Sequence, residues 1–449
     1  MSYKLFRSCD AIVTCDCDGI IHRNCDLLIK NNLVEKISTN INTDILHAEV
    51  EIIDASGYFV YPGLINTHHH FFQCFVRNNA HLDWTKYSVI EWLDLIYPIF
   101  SRLDEDCFYH SSIVAMAELI KHGCTTAFDH QYNYPRHAGK RLVDRQFEAA
   151  GLFGMRFHAG RGGNTLPKSE GSTIPDAMLE TTDEFIKDCE RLIDTYHDPE
   201  MGSMRKVVIA PCQPVNSYKD TFVQSALLAR DKKVLLHTHV GEGESKVMYQ
   251  RTGMRTVDWC DEINFLGEDV WFAHCWELNS SEIDKLAISG TGVSHCSEPV
   301  YLVGSEITPL SEMGAKNVRL SLGVDGSASN DNSNLMHCIH SAYMLQALVS
   351  GTHNYAMPEP RKFLNYATRG GADCLGREDI GVLRAGKCAD LFAINTNKLE
   401  YVGALHDPES LIPKMGVGAY VDITVINGKI VWQHGEFIRL DEEKLTADA

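Results

Sequence analysis

Eight short runs of β-branched and aliphatic residues recur along the chain, and each ends in a polar side chain. Helix-like amphipathic stretches such as 109–123 and 221–232 lie between most of them, and this alternation predicts a (β/α)8 TIM-like barrel of the α/β class. The chemistry of such a barrel sits at the carboxyl ends of its strands, where these polar residues fall. A doubly wound open sheet is the competing fold, but it leaves unexplained why histidines end the first, fifth, sixth and seventh runs. The runs are 59–70, 125–130, 155–161, 206–212, 233–239, 270–275, 292–296 and 318–325.

The two ends of the chain carry short strand-like runs separated by turn residues, such as EIIDAS near the amino terminus and VDITVINGKIVW near the carboxyl terminus. Strands this short do not bury a core alone. We therefore expect residues 1–58 and 384–449 to pair into a small β-sandwich domain beside a catalytic barrel domain of residues 59–383.

Composition and charge exclude several classes of partner. The formal net charge is −19 at pH 7, whereas nucleic-acid binding needs a basic surface. No run reaches about 18 apolar residues, and the amino terminus lacks a long apolar segment, so we expect neither a secreted nor a membrane-spanning protein. The 15 cysteines form no disulfide-like framework, which favours reduced thiols and a cytoplasmic setting.

A group of metal-competent residues falls at the predicted mouth of the barrel. In the motif INTHHHFFQ, His68 and His70 share one face of the strand end and His69 takes the other, because successive side chains of a strand alternate. By itself such a motif is more often a stretch of surface histidines. His239 and Asp325, however, end two further strands at the same rim. Three histidines and one aspartate suit Zn²⁺, or Fe²⁺ in the same geometry.

Two more residues of this rim are candidates for the chemistry. Glu242 follows His239 by three residues, in the loop that would cover the site. His274 ends the sixth strand; taken alone it would be read as a buried core histidine. The convergence of all these residues on one predicted rim is what favours a metal site over a set of unrelated structural roles.

Four motifs, in the order PGLINTHHH, LHTHVGE, FAHC and GVDGSASND, resemble the amidohydrolase superfamily over nearly the whole chain. The segments NTHHHFFQ, FDHQYNYP, RFHAGRG and ATRGGADCLGR are similar to its deaminase branch, above all to the 8-oxoguanine deaminases, near the triazine and pterin aminohydrolases. The resemblance also implies the flanking β-sandwich. The site residues that it implies are the metal ligands His68, His70, His239 and Asp325, the catalytic residues Glu242, His274 and Asp325, and the substrate-binding residues Gln73 and Arg161.

Two-metal members of this superfamily are expected to carry a bridging carboxylated lysine at the end of the fourth strand. Here that strand ends APCQP, and its only lysine, Lys206, lies at the other end, so we expect one metal ion per chain. Such a metal lowers the pKa of its bound water towards about 7. Asp325 would take the proton of that water, Glu242 would protonate a ring nitrogen and His274 would orient the hydroxide, with ammonia as the leaving group.

The prediction is a metal-dependent hydrolytic deaminase of an oxo-substituted amino-heterocycle, such as 8-oxoguanine or a related purine, pterin or pyrimidine. The alternative is an s-triazine aminohydrolase or chlorohydrolase, or a cyclic-amide hydrolase, that uses the same mononuclear site; an inactive relative is a third hypothesis. The segment HCSEPVYLVG departs from the HCPxSN pattern of the relatives, since Ser297 replaces the proline and Val300 an asparagine, which leaves the heterocycle open. We expect a homo-oligomer with a small-molecule substrate and no nucleic-acid or membrane partner.

Overall fold

The computed structural model describes residues 2–46, 48–79, 88–303, 306–353 and 356–449, and within these ranges the strands form two sheets. The strands are β1 (Tyr3–Val13), β2 (Ile21–Lys30), β3 (Leu33–Ser38), β4 (Val50–Asp54), β5 (Tyr58–Pro62), β6 (Leu64–Asn66), β7 (Cys124–Gln131), β8 (Arg156–Gly163), β9 (Arg205–Pro211), β10 (Leu236–Val240), β11 (Val270–His274), β12 (Gly292–His295), β13 (Leu320–Leu322), β14 (Leu391–Asn395), β15 (Ile423–Ile426), β16 (Lys429–Gln433) and β17 (Glu436–Phe437).

Helices occupy most of the segments between the strands of the second sheet. They are α1 (Val89–Phe100), α2 (Glu105–Lys121), α3 (Leu142–Phe153), α4 (Thr182–Tyr196), α5 (Lys219–Lys232), α6 (Ser245–Thr252), α7 (Thr256–Glu262), α8 (Ser280–Ser289), α9 (Ser297–Val303), α10 (Leu310–Ala315), α11 (Leu335–His353), α12 (Pro360–Tyr366), α13 (Arg369–Cys374), α14 (Pro408–Met415) and α15 (Glu442–Asp448). Among the described residues, none of these helices is long and apolar enough to cross a membrane.

Strands β6 to β13 lie side by side in sequence order and pair in parallel. The two outer strands meet just past their ends, where the Thr67 amide donates to the Leu322 carbonyl (3.2 Å) and the Asp325 amide donates to the His68 carbonyl (3.1 Å). Helices connect the successive strands, as parallel pairing requires. The predicted (β/α)8 barrel is thereby confirmed.

Apolar side chains fill the interior of this barrel below its mouth. Phe128, Val208 and Trp271 form one buried cluster with Leu375 and Ile380. Strands β7 and β8 are buried along their whole length, as expected for parallel strands covered on both faces. A filled interior leaves the carboxyl-terminal mouth as the place for chemistry.

The strands from the two chain ends form a mixed sheet of nine strands, in the order β17-β16-β15-β14-β5-β1-β2-β3 with β4 beside β1. The predicted strand 59–70 is not continuous, because β5 pairs with β14 and β1 in this terminal sheet and the barrel strand β6 starts only after Gly63. A Cβ on Gly63 would lie 2.0 Å from the side-chain oxygen of Thr125. The close approach of the chain to β7 at this point therefore requires glycine.

The cysteines are thiols, and no disulfide forms within the part of the chain that the structure describes. Cys17 is exposed and Cys107 is half-buried, whereas the others are buried. Burial keeps the pKa of several of them high, for example at about 12 for Cys15 and Cys124. Such thiols are inert packing residues.

Candidate metal centre and active site

The six residues predicted at the metal site all lie at the carboxyl-terminal mouth of the barrel. His68 and His70 follow β6, His239 lies in β10 and His274 is the last residue of β11. Asp325 follows β13, and Glu242 lies in the loop after β10. His69 points away, as the alternation predicted, and its Nε2 contacts the Ser333 hydroxyl at 2.9 Å.

Four of these side chains converge on one point. The Nε2 atoms of His70 and His239 are 3.1 Å apart. Asp325 Oδ1 lies 3.3 Å from His68 Nε2 and 3.2 Å from His70 Nε2. All four residues are buried, with at most 5% of any of them exposed.

The hydrogen-bond partners of two histidines fix which ring nitrogen carries the proton. His70 Nδ1 contacts the His130 carbonyl at 2.9 Å, and His239 Nδ1 contacts the Cys212 carbonyl at 2.7 Å. A carbonyl only accepts, so each Nδ1 carries a hydrogen. In this tautomer the lone pairs of the two Nε2 atoms face each other, and that of His70 also faces Asp325 Oδ1. Lone pairs and a carboxylate facing each other at 3.1–3.3 Å repel unless a cation lies among them.

Protonation of His68, His239 or His274 is disfavoured as a way to relieve this repulsion. Burial lowers the pKa of His68 to about 3 and that of His274 to about 3, and it holds the pKa of His239 well below its usual value. His68 Nε2 and both ring nitrogens of His274 have no hydrogen-bond partner among the described residues. Neutral imidazoles with free lone pairs are what a metal binds, so this donor set fits Zn²⁺.

Glu242 lies beside the four convergent side chains, in a loop that glycines shape. Gly241 and Gly243 on either side of it have φ of 66° and 91°, in the left-handed region that favours glycine. Glu242 Oε1 lies 3.4 Å from His274 Nε2. Burial, helped by the charges of Asp325, Glu244 and Glu277, raises the pKa of Glu242 well above its usual value. The group is therefore suited to carry a proton near neutral pH.

The backbone is strained where two of these residues leave their strands. His274 and Asp325 have φ of 71° and 68°, a region that residues other than glycine rarely adopt. Such strain is held by the surrounding structure and clusters at functional sites. Gly326 follows Asp325 at a point where a Cβ would lie 2.0 Å from Gln73 Oε1, so this close approach requires glycine.

A cavity opens above the four convergent side chains, and Gln73 is part of its wall. Gln73 Oε1 accepts a hydrogen bond from the Ala328 amide at 3.2 Å, and its Nε2 donates to the Tyr132 hydroxyl at 3.4 Å. These contacts hold a buried side-chain amide at the rim of the site. The other side chains that line the cavity include an apolar group formed by Val89, Trp92, Leu93, Tyr97, Trp276 and Pro299.

Arg161, which was predicted to bind the substrate, lies in a buried network of ion pairs away from the cavity wall. Its Nε donates to Asp188 Oδ2 (2.7 Å), and its terminal nitrogens donate to both carboxylate oxygens of Glu180 (2.8 and 2.7 Å) and to the Gly162 carbonyl. The guanidinium also stacks on Tyr134, with Cζ 3.6 Å from the ring centre. The side chain is fully buried and does not line the cavity, so Arg161 serves as a structural ion pair.

The segment that departs from the family pattern contributes one residue to the cavity wall, Pro299. Ser297 begins α9, and its hydroxyl contacts that of Ser341 at 2.6 Å. Val300 is buried outside the cavity wall, and residue 304 lies outside the described residues. Ser297 and Val300 are thus buried in the first turn of α9 and do not line the cavity, whereas Pro299 between them does.

Sequence reasoning assigned no role to several side chains that shape the site. Helix α1 covers the cavity with Trp92 and Tyr97, a role that its aromatic, amphipathic sequence did not distinguish from core packing. Glu244 is buried and its carboxylate accepts from the amides of Gly241 and Glu242, both at 2.6 Å. A second acidic residue in the motif HVGEGE was the available signal for this support of the Glu242 loop.

Comparison with known proteins agrees with this geometry. The amidohydrolase family matches residues 59–431. Hydroxydechloroatrazine ethylaminohydrolase of Pseudomonas sp. (strain ADP) is 58% identical over 400 residues, covering 89% of this chain and 83% of its own. The 8-oxoguanine deaminase of Pseudomonas aeruginosa is 38% identical over 361 residues, covering 80% and 79%.

Solved structures extend the similarity to the whole fold. The crystal structure of atrazine chlorohydrolase from Arthrobacter aurescens TC1, complexed with zinc, superposes with a TM-score of 0.92 at 28% identity. The match covers 99% of this chain and 98% of that one. From the matched family, the barrel and the convergent donors, we conclude that the chain belongs to the amidohydrolase family and is a metal-dependent hydrolase of non-peptide C–N bonds.

Proposed function

We propose that the protein hydrolyses the exocyclic C–N bond of an oxo-substituted amino-N-heterocycle and releases an amine. The observation that carries this proposal is that a carboxyl with a raised pKa, Glu242, and a buried amide, Gln73, line the same cavity as the convergent donors. An amide offers a donor and an acceptor to a ring that carries a carbonyl beside an N–H. A carboxyl offers the proton that such a ring needs before attack.

The metal of this reaction would be held by His68, His70, His239 and Asp325. We propose one Zn²⁺ per chain, and Fe²⁺ suits the same donors. A metal bound there supplies Lewis acidity that activates water at neutral pH. Lys206 lies at the start of β9, at the opposite end of that strand from the site, which supports a single metal over a pair bridged by a modified lysine.

The chain's own residues would move the protons. Asp325 lies among the donors, and its carboxylate would accept a proton from the attacking water and return it to the departing amine. Glu242 Oε1 would protonate a ring nitrogen and so make the adjacent carbon electrophilic. His274, whose Nε2 is 3.4 Å from that oxygen, would hold the water by a hydrogen bond as it attacks.

The wall of the cavity favours an N-alkylamino hydroxy-s-triazine as the substrate. The apolar group that covers the site can bury a short alkyl chain at about 0.8 kcal/mol for each CH₂. Arg161, which was expected to bind the substrate, is paired with Glu180 and Asp188 instead. The relative that is 58% identical is named for removing ethylamine from a hydroxytriazine, which supports the same choice.

A second candidate substrate is an oxo-purine such as 8-oxoguanine. The buried amide of Gln73 suits its carbonyl and ring N–H equally well, and the relative that is 38% identical is an 8-oxoguanine deaminase. With this substrate the leaving group would be ammonia. The same residues would act in the same order, so the two candidates differ in the ring that the cavity accepts.

Product analysis of the zinc-loaded protein tests both candidates. The panel contains an N-ethylamino hydroxy-s-triazine, its 2-chloro analogue, 8-oxoguanine, adenine and cytosine. Ethylamine released from the hydroxytriazine with the highest kcat/KM supports the first candidate, and ammonia released fastest from 8-oxoguanine supports the second. Chloride as the main product, ring opening, or a preference for adenine or cytosine would overturn the proposal.

A further inference from the structure

The three histidines of the proposed metal site differ in the hydrogen-bond partner of Nδ1, the ring nitrogen that faces away from the site. His70 and His239 each use a backbone carbonyl. His68 instead uses another side chain, because its Nδ1 lies 2.9 Å from Nε2 of His237. His237 is fully buried in β10, two residues before His239. It has no part in the reaction as proposed above.

The contact made by the other ring nitrogen of His237, Nδ1, indicates which atom donates in this hydrogen bond. His237 Nδ1 lies 2.9 Å from the carbonyl oxygen of Trp271, which can only accept. The ring of His237 is fully buried and packs against the rings of Phe128, His130 and Trp271. In the tautomer with its hydrogen on Nδ1, the imidazole presents the lone pair of Nε2, which accepts a hydrogen bond from His68 Nδ1.

We infer that His237 is a positioning residue that holds His68 in the tautomer needed to bind the metal. The chain of hydrogen bonds runs from His68 Nδ1–H to His237 Nε2, and from His237 Nδ1–H to the Trp271 carbonyl. It leaves the lone pair of His68 Nε2 directed at the space beside Asp325, and this nitrogen has no other partner among the described residues. The inference rests on the metal centre proposed above.

A competing explanation is that His68, His130 and His237 hold a second metal ion, since their ligand atoms lie within 4.8 Å of one another. The hydrogen-bond partners argue against it. The 2.9 Å contact between His68 Nδ1 and His237 Nε2 is a hydrogen bond that uses the hydrogen of the first nitrogen and the lone pair of the second. His130 Nε2 contacts the Ala210 carbonyl at 2.8 Å, so of the three rings only His130 keeps a free lone pair here, on Nδ1, and one nitrogen does not hold an ion.

The test measures zinc affinity of the whole chain by competition with a chelator, alongside thermal unfolding of the metal-free protein. Removal of an outer partner of a metal-binding histidine weakens metal binding by about 10–100-fold, and this is the loss expected for His237→Phe. His237→Gln should recover most of the affinity, because its amide oxygen can reach the position of Nε2. Phe128→Leu is the matched control: it disturbs packing against the same ring but leaves both hydrogen bonds, so zinc affinity should stay close to wild type.

A second pair of variants keeps the test decisive if His237→Phe does not fold. The shorter amide of His237→Asn reaches only the position of Nδ1, so this variant should lose affinity as His237→Phe does, whereas His237→Gln should not. Zinc affinity of His237→Asn equal to that of wild type would overturn the inference, with or without a folded His237→Phe, as would two zinc ions in wild type and one in His237→Asn. A wild-type protein that binds no zinc would instead overturn the metal centre itself.

Discussion

Replacement of Glu242 by glutamine isolates the proton transfer from metal binding. The side chain is only 15% exposed and sits 3.4 Å from His274 Nε2, outside the group of four proposed ligands. Burial and three neighbouring carboxylates raise its pKa well above the usual value, so the group holds a proton that it can deliver. Glutamine keeps the size of the side chain and its hydrogen-bonding atoms but cannot deliver a proton.

The expected loss follows from the usual contribution of a placed acid. General acid catalysis contributes about 10²–10⁴-fold, which is about 2.7–5.4 kcal/mol of activation free energy. We therefore expect Glu242→Gln to lower kcat by at least about 10²-fold while zinc content and unfolding temperature stay at wild-type values. The wild-type rate should also fall as pH rises through the pKa of Glu242, because only the protonated acid is active. The pH–rate profile of the variant should not show this fall.

The assay is steady-state turnover of the preferred heterocycle across pH, with zinc measured on the same samples. Glu244→Gln is an informative companion, since that carboxylate holds the amides of the loop at 2.6 Å without reaching the substrate cavity wall. Near wild-type turnover by Glu242→Gln at full zinc occupancy would refute the assignment of the acid. Loss of zinc by this variant would show that Glu242 acts as a ligand.

Three further predictions concern other residues. Arg161→Ala should lower the free energy of unfolding by about 3–5 kcal/mol, because it breaks the buried ion pair with Glu180 and leaves Asp188 with Arg191 alone. It should leave the ranking of substrates unchanged; denaturant unfolding and a substrate panel check both. Gln73→Leu should reduce the preference for oxo-heterocycles by about 1–3 kcal/mol, which is about 5- to 160-fold in kcat/KM, and an unchanged preference would contradict its role. Burial alone would raise the pKa of Asp379, but its ion pair with Arg377 (2.7 Å) holds that pKa well below the usual value. The pair therefore stabilises the folded protein above about pH 4, and this stability is lost as the pH falls towards the lowered pKa that Asp379 has in the folded state. In Asp379→Asn the free energy of unfolding should depend less on pH in this acid range.

The sequence was sufficient to predict the barrel and the convergence of the proposed ligands. Parallel strands bring their carboxyl ends to one rim, so the position of a polar residue at a strand end determines its place in the fold. His68, His70, His239, His274 and Asp325 were placed by this rule. This placement does not depend on which residues their side chains contact.

The remaining features depend on contacts between distant segments, which periodicity does not encode. The ion pairs of Arg161 come from Glu180 in a loop and Asp188 in α4, and neither is marked as a partner by its position in the sequence. The division of the run 59–70 between two sheets depends on the pairing of β5 with β14, more than 300 residues away. Likewise, an apolar helix such as α1 looks the same in sequence whether it covers a core or a substrate.

Titration of the metal-free protein with Zn²⁺, followed by amine release from the preferred heterocycle, tests the central claim most directly. The geometry of His68, His70, His239 and Asp325 predicts that activity rises from zero and reaches its plateau at one equivalent of zinc per chain, and that His239→Ala neither binds zinc tightly nor gains activity. A plateau at two equivalents, or full turnover by the metal-free protein, would contradict the account.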